Sequence, residues 1–184
     1  MSAKQLALTD PTAPAHPSMF GRWNAAKPLT HPAMQAHIRN GNFNGTIGML
    51  THYGLAQTAY NELEAQAAAA ATAATDLAAA LMNAGYGDPA AFDAATALAD
   101  YQTAAALDNT LVDSEINGLI AASQDVPTAE EIAAAQADLA AAESNMAIYS
   151  NRAPWDEIRD DVRARMGLDP AENDLVAPAP TSTP

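Results

Sequence analysis

Alanine fills about a quarter of the 184 positions, and nothing else in the sequence limits the possible folds so strongly. Against it stand 15 Leu, 7 Ile, 4 Val and 3 Phe, 29 residues of the kind that fill cores. That share lies below the roughly 20% at which, with high net charge, disorder becomes the default expectation. Alanine changes the expectation because it is the best helix former. A buried alanine methyl contributes only about 0.8 kcal/mol, against roughly 1.5–3 for leucine or phenylalanine. The expected fold is therefore all-α: an elongated antiparallel bundle or hairpin of Ala-rich helices that form readily, pack weakly and need partners.

The chain divides into three regions. Residues 1–45 carry Pro11, Pro14, Pro17, Pro28 and Pro32 and then the turn-rich run Asn40 to Gly45. This density of proline predicts an extended arm, because proline removes a backbone donor and blocks helix interiors. Within it, His16-Pro17-Ser18-Met19 is echoed fifteen residues later by His31-Pro32-Ala33-Met34. Either the echo is coincidence, or both segments dock by the same contact of ring, proline and thioether. Residues 46–166 form the helical body, with helices expected at about 46–84, 89–123, 129–151 and 154–166. Residues 167–184 are a Pro-rich extended tail.

The helices are read from spacing. Tyr53, Tyr60, Leu63, Leu77 and Leu81 fall on one heptad seam with interleaved alanines. Gly85 is the expected C′ residue, and Asp88-Pro89 the expected start of the next helix. Leu98, Tyr101, Asn109, Val112 and Ile116 trace the second seam, and Ile132, Leu139, Met146 and Tyr149 the third. Thr128 to Glu131 is a capping box. Trp155, Ile158, Val162 and Met166 are expected on the buried face of the last helix. At about 1.5 Å per residue the first helix spans roughly 55–60 Å.

Charge is partitioned along the chain. Between Glu62 and Asn151 there is no lysine or arginine but there are fourteen acidic residues. Residues 1–61 hold Lys4, Arg22, Lys27, Arg39 and all four histidines against Asp10 alone. A basic front and an acidic body can be a solvated surface, or the front can lie on the body of a neighbouring copy. Opposite patches steer association and reject wrong partners. The residues expected at that interface are His16, Pro17, Met19, Phe20, Arg22, Trp23, Lys27, His31, Pro32, Met34 and Arg39. Nucleic acid is not expected as a partner for a chain of net charge −14.

The sequence gives no support to catalysis. With no cysteine there is no disulfide, thiolate metal site or thiol nucleophile. Acidic pairs such as Glu62/Glu64 and Asp160/Asp161 fall on expected exposed faces, where no pKa shift for acid–base work arises. His31 and His37 have no third ligand at metal-like spacing. Asp108 to Leu119 fails as a calcium loop because Val112 and Asp113 stand where a ligand and a glycine are required. No phosphate-binding glycine loop or nucleophile elbow occurs. No enzyme activity, cofactor, metal or small-molecule substrate is expected.

The start lacks an apolar signal region, and no eighteen-residue apolar run occurs, so neither export nor a membrane span is expected. The function that fits is a non-enzymatic structural or assembly subunit of a larger particle. Arm, acidic helical body and tail together resemble subunits of bacteriophage heads, necks, tails or fibres, which implies a virion or host-cytoplasmic location. Two alternatives stand beside it. Acidic, Ala-rich, cysteine-free composition and the pattern Tyr60-Asn61-Glu62-Leu63-Glu64 also resemble helical substrates of actinobacterial secretion systems. A scaffolding protein or assembly chaperone is the other.

Overall fold

The structure, a computed structural model, describes residues 17–168. Those residues form an all-α fold, with no strand among them. Six α-helices follow one another: α1 (Pro32–Asn40), α2 (Gly45–Asn83), α3 (Ala94–Leu107), α4 (Ser114–Gln124), α5 (Ala129–Tyr149) and α6 (Trp155–Met166). Short 3₁₀ turns occupy Pro17–Met19, Gly21–Ala25 and Asn109–Leu111. The chain separates into two compact units. The first draws on Met1–Tyr60 and Ala134–Pro184, and the second is Asn61–Ala133. Helices α2 and α5 each contribute residues to both.

Where local chemistry is strong, helix ends fall at the expected places. Tyr86 N–H reaches the Leu81 carbonyl at 3.0 Å and Gly85 N–H the Met82 carbonyl at 3.0 Å, which closes α2 in a Schellman motif. Gly85 has φ of +83°, a conformation glycine adopts without steric cost. The capping box opens α5: Glu131 N–H donates to Thr128 Oγ1 at 3.2 Å, and Thr128 N–H to the Glu131 carboxylate at 2.8 Å. Gly167, in the left-handed region, ends α6.

The first unit corrects the extended-arm expectation. Residues 17–40 fold, and Met19, Phe20, Trp23, Ala26 and Met34 are buried with Leu50, Tyr53, Met146, Trp155, Ile158, Val162 and Met166 in one core. The prolines do not oppose this because of where they stand. Pro32 opens α1 at the position whose N–H is unpaired in any helix. His31 caps it, its Nδ1 accepting from Ala33 N–H at 3.2 Å, and Gly41 ends it in the left-handed region. Trp23, fully buried, donates its indole N–H to Ser150 Oγ at 2.8 Å. The Trp155 ring stands edge-on to both Trp23 and Tyr53.

The second unit corrects the continuous helix over 89–123. Residues 89–93 precede α3, and Asp108 to Asp113 separate α3 from α4. Three aspartates act as caps. Asp93 accepts from Thr96 N–H at 2.9 Å, Asp108 from Thr110 N–H at 2.9 Å, and Asp113 from Glu115 and Ile116 N–H at 2.8 and 3.2 Å. Short acidic side chains compete with helical hydrogen bonding in an interior but satisfy the open donors of a start. The core here is small, with Leu77, Leu81, Ala97, Tyr101 and Ile116 buried and Leu98 packed against them. Asn109 lies in a 3₁₀ turn, and Val112, expected on the seam, is exposed. Tyr149, the last residue of the third seam, is exposed as well.

Hydrogen bonds from Thr96 and Thr110 side chains hold Asp93 and Asp108 below the usual carboxylate range, and the Thr128 backbone N–H does the same for Glu131. A carboxyl depressed in the folded state contributes stability above its unfolded pKa and loses it as pH falls through the folded value. Asn and Gln make the same caps without titrating. The combined variant Asp93→Asn, Asp108→Asn, Glu131→Gln is therefore expected to lose less helical signal than the parent between about pH 5 and about pH 2.5. Circular dichroism at 222 nm checks this, and equal losses would remove the caps as the acid-sensitive groups.

Candidate functional site

The residues expected at an interface separate into two kinds. Met19, Phe20, Trp23 and Met34 are in the core of the first unit. Met34 is fully buried with its Sδ 3.1 Å from Thr51 Oγ1, so the second His-Pro-x-Met segment docks on its own chain. Pro17 starts a 3₁₀ turn, and His16 lies outside the described residues. The polar members stay at the surface. Lys27 and Arg39 are exposed, as are the capping His31 and the adjoining Pro32. Arg22 lies over the Trp23 and Tyr149 rings, 5.6 and 5.4 Å from their centroids.

The seam residues likewise divide. Tyr53, Leu77, Leu81, Tyr101, Ile116 and Met146 are buried, while Tyr60, Leu63, Leu98, Ile132 and Leu139 are partly covered. Tyr60 accepts a hydrogen bond from Gln136 Nε2 at 3.2 Å, and the Tyr60 to Glu64 pattern lies inside α2.

The described histidines serve local structure. His37 Nδ1 pairs with the Asn42 carbonyl beyond the end of α1. His52 stacks on Phe43 and its Nε2 meets Asp138 at 3.1 Å. Among the described residues no three His, Asp or Glu side chains come together as a ligand set. No described helix is long and apolar enough to cross a membrane. Inside the first unit the Tyr53 hydroxyl and Trp155 indole N–H are buried without a hydrogen-bond partner. Burial pushes the Tyr53 hydroxyl well above the usual phenol range, which keeps it protonated and unfit as a base.

Two surface features stand out. In the second unit, Leu107 at the end of α3 and Leu111 and Val112 in the connection that follows are 84%, 46% and 44% exposed. Asp108 fixes that connection through Thr110, and Tyr101 through Asp113. The connection is thus an ordered apolar projection, with exposed Asp108 and Glu115 beside it.

In the first unit, a cleft of about 610 Å³ is lined by Ser18, Met19, Gly21, Asn24, Asn151 and Arg152. Its two walls meet at Gly21, whose φ is +52° and where a Cβ would lie 2.1 Å from Asn151 Oδ1. Arg22 N–H donates to that same oxygen at 3.3 Å. Arg165 Nη1 donates to Asn24 Oδ1 at 3.2 Å, with its guanidinium 3.8 Å over the Phe20 ring. Sequence reasoning missed this cleft. One signal was visible: Arg152 is the first cation after the long cation-free run. Its meeting with Ser18 and Asn24 depends on the tertiary fold. Comparison with protein-family models, curated proteins and solved structures finds no match to this chain.

Proposed function

We propose that this chain is a non-enzymatic assembly subunit of a larger particle, a bacteriophage virion component being the specific case, and that copies associate through surfaces of opposite charge. The observation that carries this reading is the partition of ionisable residues between the two units. Asn61–Ala133 contains twelve Asp and Glu and no Lys, Arg or His, so every cation of the chain belongs to the other unit. From Pro17 to Asn61 there is no acidic residue at all. A basic surface on one unit and an acidic one on the other form a heterologous pair, which generates rings or filaments.

The docking element differs from the extended arm that composition suggests. Its aromatic and thioether side chains are buried in the first unit, so the basic surface is the folded segment bearing Lys27 and Arg39. On the acidic side, the apolar projection at Leu107, Leu111 and Val112 supplies what charge alone lacks, an area that gains from leaving water. Helices rich in exposed alanine fit the same role.

Sedimentation velocity on the full chain tests the proposal. At about 20 mM salt, concentration-dependent association is expected, weakening at about 500 mM as the Debye length shrinks. Lys27→Glu with Arg39→Glu should shift the equilibrium toward monomer while the melting temperature is retained. A protein that stays monomeric at every concentration and salt level would remove self-assembly from the account.

A further inference from the structure

We propose that the cleft bounded by Gly21 and Asn151 is a binding site for an oxyanion, a carboxylate or phosphate group carried by a small ligand. This does not depend on self-assembly. In a chain with 22 acidic and 8 basic residues, the charge at this concavity is positive: one arginine lines it and a second is bonded to a lining residue. Arg152 forms part of its wall, Arg165 is bonded to the lining residue Asn24, and Arg22 is bonded through its backbone to the lining residue Asn151. No carboxylate lines the cleft.

Arg152 and Arg165 also differ from a neighbouring arginine in their partners. Arg159 is paired with Glu143 at 3.9 Å and Asp160 at 3.4 Å. Among the described residues no carboxylate forms an ion pair with Arg22, Arg152 or Arg165. With no carboxylate partner among the described residues, the Arg152 and Arg165 guanidiniums give the cleft a local positive potential, where an anion gains most.

The cleft is held in shape by contacts that use no carboxylate. Trp23 anchors one wall to Ser150, and Arg165 is fixed by the Phe20 ring and Asn24. A guanidinium held at one edge presents its remaining N–H groups in a fixed fork, the geometry that matches carboxylate and phosphate oxygens. Because Asn151 Oδ1 already accepts from the backbone of Arg22, the Asn151 amide is left to donate. The volume falls within the range of small-ligand sites, roughly 300–1,000 Å³.

The test titrates the full-length protein with inorganic phosphate and, separately, with citrate at constant ionic strength, following amide resonances. Chloride serves as the control. Saturable one-to-one shifts at Gly21, Asn24 and Asn151 are expected, with the tighter of the two anions identifying the phosphoryl or carboxylate source. Arg152→Ala should weaken binding by about tenfold or more. Arg165→Lys keeps the charge but loses the fork, and should weaken it while leaving the melting temperature in place. Arg159→Ala, outside the cleft lining and already paired with Glu143 and Asp160, should bind as the parent does. Shifts equal to those with chloride, or undiminished in both arginine variants, would overturn the site.

Discussion

Replacing Trp23 with alanine is expected to remove roughly 3–5 kcal/mol of stability, the range for deleting a large aromatic side chain from a packed interior. Trp23 has no exposed surface, packs edge-on to Trp155 with centroids 6.4 Å apart, and bonds Ser150 across 127 residues of sequence. Its removal leaves a cavity against Trp155 and the Ser150 hydroxyl without its donor. Urea denaturation of the full chain measures the effect as a lower midpoint. The same experiment tests the status of the front segment. A detachable arm would lose Trp23 without consequence, so parent-like stability would contradict the packing described above. Trp23→Phe should recover part of the loss, because it restores ring volume but not the hydrogen bond.

How far the sequence revealed this fold depended on whether a feature was local. The end of α2, the capping box of α5 and the buried stripe of α6 were legible because each rests on residues three to five apart. The break at Asp108 to Asp113 was not. Ala105, Asn109, Val112 and Ile116 continue the three-and-four spacing straight across it. Periodicity says where a helix could place apolar groups and says nothing of a competing cap. Asp108 and Asp113 decide the matter through hydrogen bonds that a hydrophobic pattern does not register.

The front segment was misread for a related reason. Its prolines suggested extension when counted, but Pro32 favours a helix by position. A chain with few large apolar residues also has to draw on the ones it has, and Met19, Phe20, Trp23 and Met34 make up much of the first core. Charge partition was legible in full, because it is a property of order along the chain. The arginine cleft was not, since it is built by the Arg22–Asn151 and Arg165–Asn24 contacts, which span 129 and 141 residues.

The second unit offers the other large effect. Tyr101→Ala is expected to cost about 3–5 kcal/mol and Tyr101→Phe about 1–3, from loss of the ring in one case and of its hydrogen bonds in the other. Tyr101 is buried among Leu77, Leu81, Ala97 and Ile116 and stands edge-on to Tyr86 at 5.4 Å. Its hydroxyl accepts from Asp113 N–H at 3.0 Å and has the Asp113 carbonyl at 3.1 Å and Asn117 Oδ1 at 3.0 Å as acceptors. One proton serves one of these at a time. The hydroxyl therefore ties α3 to the first turn of α4 across the connection that breaks the helix. In the phenylalanine variant the ring still fills the core, but the Asp113 N–H loses its partner in a partly buried place. Hydrogen exchange separates the two contributions. Tyr101→Phe should accelerate exchange at Asp113 and in the first turn of α4 while leaving α3 close to the parent. Tyr101→Ala should accelerate both helices, because a unit whose core has so few large side chains has nothing of similar size to take the place of that ring. Unchanged exchange at Asp113 in the phenylalanine variant would mean that the connection is held by its aspartate caps alone.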